Sequence, residues 1–457
     1  MQVLSQLSGK PSISFTRALA ISSFLCVLSL VPLLRALGMP LMPMFLSAGA
    51  ATLLWLVFRH PTGSLGLFLS FIPVYTLAFL LAKFFGPRYI GMLEGSDRVV
   101  LLLLVFSLLL RNGIKFTTPD WLLLSCFGLA LIRLAVSGTL IGVLADFNFM
   151  IAYAAGRVTV LREEQEKRWA RRAVWIVAIL SVIGMLEVFV IGEGPRTLLY
   201  LSVANGGTDG LSLDAAFHAD QYLGLRESAT MFGPLQFAPL CMTGLVVWWV
   251  FCRDSVPAIM IVAGLICSLT RSAWLGTAFA ISSLTVMMGQ GKRLVQYGSA
   301  ALILFLAAIP ILGLGDYLMS NKSGEDPSAQ GHRASILEGV QFMAEHPFGV
   351  GPGNASRFAV KTESNAFAVE NSYLTFAAEY GIADVLLFIG FLVVALRIAW
   401  RLRTPVACVA VGVVIGFSTV MMFASLHDVF PLACWLWFPV GLTVRSAVER
   451  RASQAPL

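Results

Sequence analysis

Long apolar runs separated by short polar stretches dominate the sequence. Four of them are Ala18–Leu34, Leu65–Ala82, Leu294–Leu312 and Val385–Ala399. Roughly 20 apolar residues span a bilayer as an α-helix, and backbone groups inside lipid must bond within their own segment, which favours helices over loops. The alternating ten-residue pattern of a membrane β-barrel is absent from the sequence. The chain is therefore predicted to be an all-α, polytopic integral membrane protein.

The same pattern predicts about 12–14 transmembrane helices. The spans are placed near 18–37, 40–58, 64–82, 98–110, 119–136, 138–156, 173–191, 233–252, 256–270, 273–289, 294–313, 371–399, 404–424 and 430–446. The helix count is least defined between residues 98 and 156. The first run follows Lys10 and Arg17, as a secretory signal would, but no clean small-x-small cleavage site follows, so it is treated as a membrane helix.

Composition agrees with this class. The chain is 58% hydrophobic and 12% charged, with a mean hydropathy of +0.82, whereas a soluble domain carries about 25% charged residues. The seven cysteines form no CxxC pair, and the five histidines are scattered. Neither a metal site nor a disulfide framework is indicated, no nucleotide-binding glycine loop occurs, and neither a cofactor nor a nucleic-acid partner is expected.

The basic residues predict the orientation. Most of the 32 Lys and Arg residues fall in alternate, short connecting segments, with the largest group at 157–172, and such segments face the cytoplasm. Both termini are thus expected in the cytoplasm, and the long loops 192–232 and 314–370 on the outer face. The organisation is one membrane domain in five parts: helices in 1–191, a loop at 192–232, helices in 233–313, a large loop at 314–370, and helices in 371–457.

The 314–370 loop has the most structured pattern. A polar linker (321–331) precedes a segment with apolar residues at helical spacing (333–345), which predicts an amphipathic helix on the membrane surface or capping the bundle. Pro347 ends that helix, and the turn-rich PFGVGPGN (347–354) follows. Asn371 or Ser372 then offers an N-cap for the next helix.

Polar groups from four distant stretches are predicted at the outer face: Arg226, Arg271, Arg333, and the pair Glu370 and Asn371. Arginine forms paired, charge-assisted bonds to phosphate and keeps its proton. A helix N-terminus adds backbone donors, and Glu370 could withdraw a proton from an attacking hydroxyl. A pyrophosphate site with a carboxylate base fits these residue types.

Structural interpretations of the same residues stay open. Arg226 could snorkel to the interface, Arg271 could serve the hairpin that it occupies, and Arg333 could begin an amphipathic helix. Glu370 could complement a helix dipole. Glu379, placed inside a span, is an acid of the kind that is usually functional or paired.

Several motifs together resemble the O-antigen ligase / Wzy polymerase superfamily. The motifs are TRSAWLG (270–276), an arginine-led helix followed by HPFGVGPGN (333–354), ENSYLTFAAEYGI (370–382), and LGLRESATMFGPLQFA (223–238). The resemblance covers roughly the C-terminal half of the chain. It implies a GT-C-like integral membrane glycosyltransferase that takes a glycan from an undecaprenyl-pyrophosphate carrier at the periplasmic face of the bacterial inner membrane and transfers it to an acceptor sugar without a metal.

Site roles follow from the resemblance by position. Arg226, Arg271 and Arg333 would hold the pyrophosphate, and residue 370 would act as base. Asn354, Asn371, Tyr373 and Glu379 lie in the motifs and are candidate substrate-binding residues. Ligases of the superfamily have histidine where this chain has Glu370. That departure favours a polymerase of O-antigen or exopolysaccharide repeats over a ligase, with membrane lipids and polysaccharide assembly or chain-length-control proteins as further partners.

Two other function classes remain. A transporter of lipid-linked glycans predicts charges along a path through the whole membrane, whereas the polar groups here concentrate in the outer loops. A structural protein of an assembly complex gives no reason for arginines and an acid to share one face.

Overall fold

The computed structural model describes residues 52–75, 95–192, 218–219, 223–225, 229, 231, 234–311, 327–355, 369–427 and 429–454. The chain divides into two compact units, residues 1–60 and 61–457. In the first unit, residues 52–59 are helical. The predicted span at 18–37, most of the span at 40–58, and Arg226 lie outside the described residues.

The second unit is built from helices. In chain order they are α1 (Pro61–Phe71), α2 (Ser96–Asn112), α3 (Thr118–Val136), α4 (Leu140–Asp146), α5 (Phe149–Val158), α6 (Glu163–Leu186), α7 (Pro234–Phe251), α8 (Ser255–Cys267), α9 (Arg271–Met288), α10 (Gly291–Ile311), α11 (Pro327–Glu345), α12 (Ser372–Tyr380), α13 (Ile382–Leu402), α14 (Pro405–Met421) and α15 (Phe430–Gln454). A π-helical turn, Glu187–Ile191, continues α6. A two-stranded antiparallel hairpin, β1 (His218–Ala219) with β2 (Leu223–Leu225), is the only sheet in the described part of the chain.

The helices confirm an all-α fold compatible with a polytopic membrane protein. Within the described residues, four helical segments are long and apolar enough to cross a bilayer, and the bent pair α4–α5 makes a fifth if it counts as one span. The four are Thr118–Val136, Glu163–Ile191, Gly291–Ile309 and Ile382–Leu402. Shorter apolar helices lie at Pro61–Val74, Leu235–Phe251, Ser255–Cys267 and Pro405–Met421.

Large apolar side chains point away from the bundle. Val136, Val190, Val286 and Val295 are each more than 70% exposed, and many leucines and phenylalanines are half exposed. Exposed apolar surface of this extent is unfavourable in water but is the expected surface of a helix bundle that faces lipid.

Two predicted spans are broken. The predicted span 138–156 becomes α4 and α5, which are bent by 50° at Phe147–Asn148. The predicted span 371–399 becomes α12 and α13, which meet at Gly381 with φ +94°. Both breaks fall inside segments whose mean hydropathy predicts a single span, so hydropathy alone predicts continuous helices there.

Small residues allow the central helices to approach closely. Gly156 in α5 and Gly441 in α15 each face the backbone of the other helix. A methyl group on Gly156 would overlap the Phe438 carbonyl oxygen, and one on Gly441 would overlap the Tyr153 carbonyl oxygen. A methyl group on Gly276 of α9 would lie 2.7 Å from the Gly416 carbonyl oxygen of α14. Such small-residue contacts are typical of helix packing inside membranes, where dispersion and close fit replace the hydrophobic effect.

A buried ion pair fixes α3 against α5. Arg157 Nε and Nη2 each donate to one Asp120 carboxylate oxygen at 2.8 Å, and both side chains are at least 95% buried. Tyr153 Oη donates to the same carboxylate at 2.9 Å. The backbone N–H of Thr117 also donates to Asp120, at 2.7 Å, which caps the start of α3.

Candidate functional site

The N-terminus of α12 is the centre of the candidate site. Asn371 is its N-cap, as predicted: the side-chain oxygen accepts from the backbone N–H groups of Tyr373 at 3.0 Å and Leu374 at 3.1 Å. The Asn371 amide also donates to the Met422 carbonyl at 2.8 Å. Glu370 directly precedes this cap and its side chain is 54% exposed. The cap therefore fixes the backbone from which the candidate base projects.

The connection after α14 holds the first turn of α12 from the other side. The buried Ser372 hydroxyl donates to the Ala424 carbonyl at 2.9 Å and accepts from the Leu426 N–H at 3.1 Å. Tyr373 Oη donates to the Ser418 carbonyl at 3.3 Å. The first turn of α12 is thus tied to the end of α14, and we call this end of the bundle the α12 end.

Helix α11 packs on the same turn. His332 Nδ1 lies 3.0 Å from Glu370 Oε2, and the Glu370 N–H donates to Ser335 Oγ at 3.2 Å. A methyl group on Gly339 would lie 3.0 Å from a Leu374 methyl carbon. The predicted helix is confirmed, but it begins at Pro327, within the predicted linker, and its contact face is the one with Ser335 and Gly339. Leu337 and Val340 on the predicted apolar face are 62% and 46% exposed.

The glycine-rich turn 347–355 locks the α12–α13 junction. The N–H groups of Val350 and Gly351 donate to the carbonyls of Ala378 at 2.8 Å and Glu379 at 2.9 Å. Gly349 has φ +77°, and a methyl group there would lie 2.5 Å from the Glu379 carbonyl oxygen. Because these amides already bond to carbonyls, the turn positions the helices rather than forming a free anion-binding nest.

The same turn also contacts the α3–α4 connection. The Thr139 N–H donates to the Pro352 carbonyl at 2.9 Å, and Ser137 Oγ donates to the Val350 carbonyl at 2.8 Å. In the last turn of α3, the Arg133 guanidinium lies 5.4 Å from the centre of the Phe348 ring. Arg133 is thus a cation at the α12 end that the sequence patterns did not single out.

Two of the predicted substrate-binding residues help to hold this turn, Asn354 within it and Glu379 from α12. Glu379 is fully buried, and its carboxylate accepts from the Ala355 N–H at 3.2 Å. This contact gives Glu379 a part in holding the turn. Asn354 is exposed, and its side-chain amide donates to the Val350 carbonyl at 3.0 Å.

Arg271 lies at the α12 end as well. It is the first residue of α9, and its side chain is partly buried. Helix α9 runs antiparallel to α14: Gly276 faces Gly416, and Leu284, later in α9, contacts Gly412, earlier in α14. The start of α9 therefore lies beside the end of α14, the region that also binds Asn371 and Ser372.

The remaining predicted arginines have separate outcomes. Arg333 is exposed on α11 and follows His332 directly, so it belongs to the same end of the bundle. Arg226 follows the β hairpin and lies outside the described residues. Its part in the site stays a prediction.

A buried polar cluster lies beneath the α12–α13 junction. Tyr380 Oη donates to Asp146 Oδ2 at 2.6 Å, and His427 Nε2 lies 3.7 Å from Asp146 Oδ1. All three side chains are at least 96% buried. The cluster joins α4, α12 and the α14–α15 connection. No local sequence pattern relates these three segments to each other, so none predicts the cluster.

An apolar cavity of about 120 Å³ lies elsewhere, between α1, α6, α7, α14 and α15. Its lining includes Glu166 and Trp169 in the first turns of α6 and Val406 at the start of α14. These positions lie at the opposite end of the bundle from Met422. The cavity therefore does not belong to the candidate site.

No group of three or more potential metal ligands occurs among the described His, Cys, Asp and Glu residues. The chemistry that the α12 end offers comes from the carboxylate of Glu370, the imidazole of His332, and the arginines Arg133, Arg271 and Arg333. Such groups suit acid–base chemistry on an anionic, phosphate-bearing substrate.

Comparison with known proteins supports this interpretation. Residues 256–389 match the family model described as O-antigen ligase. That range contains Arg271, Arg333, Asn354, Glu370 and Glu379, and it ends before the α14–α15 connection. A search of curated proteins found no relative. Residues 256–389 are therefore similar to the O-antigen ligase family, within a chain whose helices are compatible with a multi-pass membrane protein.

Proposed function

We propose that the protein is an inverting, metal-independent glycosyltransferase that polymerises undecaprenyl-pyrophosphate-linked polysaccharide repeats of an O-antigen or exopolysaccharide. The observation that supports the proposal is the contact of helix α11 with Glu370, at the end of the bundle where α9 begins with Arg271, within the region that matches the family model. With the α12 end on the periplasmic face of the inner membrane, both termini lie in the cytoplasm, as the positive-inside pattern favours.

The reaction exchanges one bond for another. An acceptor sugar hydroxyl attacks the anomeric carbon of the donor glycan, and a new C–O glycosidic bond forms. The C–O bond to the carrier pyrophosphate breaks, and its electron pair leaves with the pyrophosphate. The hydroxyl proton passes to the Glu370 carboxylate, either directly or through a group that this carboxylate orients. Attack from the face opposite the leaving group inverts the anomeric centre.

The arginines act on the leaving group. Arg271 and Arg226 hold the donor pyrophosphate, Arg333 adds a third cation from α11, and their charge stabilises the phosphate oxygens as the bond breaks. Asn371 fixes the backbone beside Glu370. Asn354 and Tyr373 contribute to the glycan-binding surface, and Glu379 holds the turn that carries Asn354.

The proposal names the partners. The donor and the acceptor are both lipid-linked glycans, which membrane lipids surround. Polysaccharide assembly and chain-length-control proteins are further partners of a polymerase.

Substitution at the site tests the assignment in purified protein supplied with lipid-linked repeat units. We expect Arg271→Ala to reduce turnover by about 10²–10³-fold, the usual effect of removing one group that stabilises transition-state charge. Glu370→Gln should cost about 10²–10⁴-fold, the range for acid–base groups. Arg401→Ala and Glu345→Gln are matched controls, because both residues are exposed and neither belongs to the site. Full activity of the Arg271 or Glu370 variant, alongside active controls, would contradict the site.

An O-antigen ligase, which transfers the finished glycan to lipid A core, is the second candidate. The description of the matching family model favours it. The glycan profile of a deletion strain separates the two: a missing polymerase leaves single capped repeats, whereas a missing ligase leaves full-length chains that are not attached to core.

A further inference from the structure

The position of Glu370 raises a chemical difficulty that His332 resolves. The Glu370 side chain is 54% exposed. A carboxyl in water loses its proton near pH 4 and an imidazole near pH 6.5. An imidazole is therefore the better proton acceptor at neutral pH.

His332 supplies such a ring in direct contact. Its Nδ1 atom lies 3.0 Å from Glu370 Oε2, and its side chain is 33% exposed. A contact between two such exposed side chains contributes little to stability. Folding thus gains little from the contact, and both groups remain accessible to a substrate.

The contact also bears on the tautomer. An ionised carboxylate only accepts hydrogen bonds, so across the 3.0 Å separation of His332 Nδ1 and Glu370 Oε2 we assign the ring proton to Nδ1. In the neutral ring, Nε2 then holds the lone pair. A carboxylate that orients an imidazole in this way is the arrangement in which the outer nitrogen acts as a general base.

Backbone contacts hold the two partners in register. The Glu370 N–H donates to Ser335 Oγ, which lies about one helical turn from His332 on α11. Gly339 lets α11 approach Leu374 in the first turn of α12. The ring and the carboxylate therefore stand on two helices that are packed against each other.

We propose that His332 Nε2 is the atom that takes the proton from the acceptor hydroxyl and that Glu370 orients the ring and stabilises its positive charge. The inference rests on the proposed glycosyl transfer. The hydroxyl proton ends on Nε2, the imidazolium formed pairs with the Glu370 carboxylate, and the electron pair of the broken bond leaves with the pyrophosphate. The proton returns to solvent after the product departs.

Chemical rescue tests the assignment. His332→Ala should lower turnover by about 10²–10⁴-fold, and added imidazole should restore at least a tenfold part of the loss, because a free ring can fill the space of the deleted one. The double variant His332→Ala/Glu370→Gln should have a turnover no lower than that of the less active single variant, since the effects of residues that act as a unit are not additive. His346→Ala is the matched control: it removes an exposed histidine at the end of the same helix, and it should keep full turnover with no response to imidazole.

Specific outcomes would overturn the catalytic pairing of His332 with Glu370, which we call the dyad. Wild-type turnover in His332→Ala contradicts it, and so does a loss that imidazole fails to restore in a variant that elutes as folded protein. Additive losses in the double variant would assign separate roles to the two residues. If the wild-type protein itself forms no glycosidic bond from lipid-linked donors, the proposed function fails and the dyad fails with it, whereas an active wild type with an active His332 variant refutes the dyad alone.

Discussion

Gly381 provides a sharp test of how the site is held. It joins α12 to α13 with φ +94° and ψ 171°, a conformation that only glycine adopts readily. In Gly381→Ala, the new methyl carbon would lie 2.8 Å from the Phe348 carbonyl carbon and 2.9 Å from its Cα and oxygen. The conformation costs about 1–3 kcal/mol and the overlap with backbone about 1–3 kcal/mol more, so we expect a total of about 2–6 kcal/mol.

Gly289→Ala is the matched control for backbone strain. Gly289 has φ +65°, but no atom lies within 4 Å of the added methyl group, so only about 1–2 kcal/mol of strain is expected. Gly390→Ala is the control for the methyl group itself, because its nearest neighbour is a Leu122 methyl carbon at 3.9 Å.

The assay is the midpoint of thermal aggregation in detergent, followed by size-exclusion chromatography, together with turnover of the remaining folded protein. We expect the midpoint of Gly381→Ala to fall clearly below that of Gly289→Ala. Turnover per folded molecule should fall as well, because the turn that packs on Gly381 also holds the end of α12. Equal midpoints for Gly381→Ala and Gly289→Ala would refute the close contact between the turn and the junction.

Two further substitutions test other parts of the framework. Asn371→Ala removes an N-cap and leaves the Met422 carbonyl after α14 without its donor. It should lower the free energy of unfolding by about 2–4 kcal/mol and abolish most of the turnover. The control, Thr404→Ala, removes a cap at the opposite end of α14 and should cost about 1 kcal/mol with turnover unchanged. Equal losses of stability and turnover in Asn371→Ala and Thr404→Ala would contradict the role of the α12 cap in holding the site. Asp120→Asn and Arg157→Met should each cost about 3–5 kcal/mol because each leaves a buried partner unpaired, and the thermal midpoint measures the loss. The control, Lys167→Met, breaks an exposed ion pair and should leave the thermal midpoint unchanged. If Arg157→Met had the same midpoint as Lys167→Met, the buried pair would contribute nothing to stability.

Local chemistry predicted the features that depend on neighbouring residues. The apolar runs at 119–136 and 404–424 became helices α3 and α14 with small changes at their ends. Asn371 caps α12 because its short side chain reaches the N–H groups two and three residues ahead.

Sequence patterns did not predict the features that depend on contacts between residues far apart in the chain. The break at Gly381 lies inside a predicted span, and only the turn that packs against it explains the positive φ. His332 meets Glu370 because α11 folds back over α12 through Ser335 and Gly339, a packing that helical spacing does not encode. For the same reason the apolar residues of α11 predicted a contact face on the side that is largely exposed.

Reconstituted vesicles test the central claim most directly. Purified protein in vesicles receives a radiolabelled lipid-linked repeat, and the new glycosidic bonds and the released undecaprenyl pyrophosphate are counted together. Glycosyl transfer should release one carrier pyrophosphate for each new bond, and Glu370→Gln should lose both products. Movement of the intact donor across the bilayer without new bonds would contradict the account and indicate a transporter.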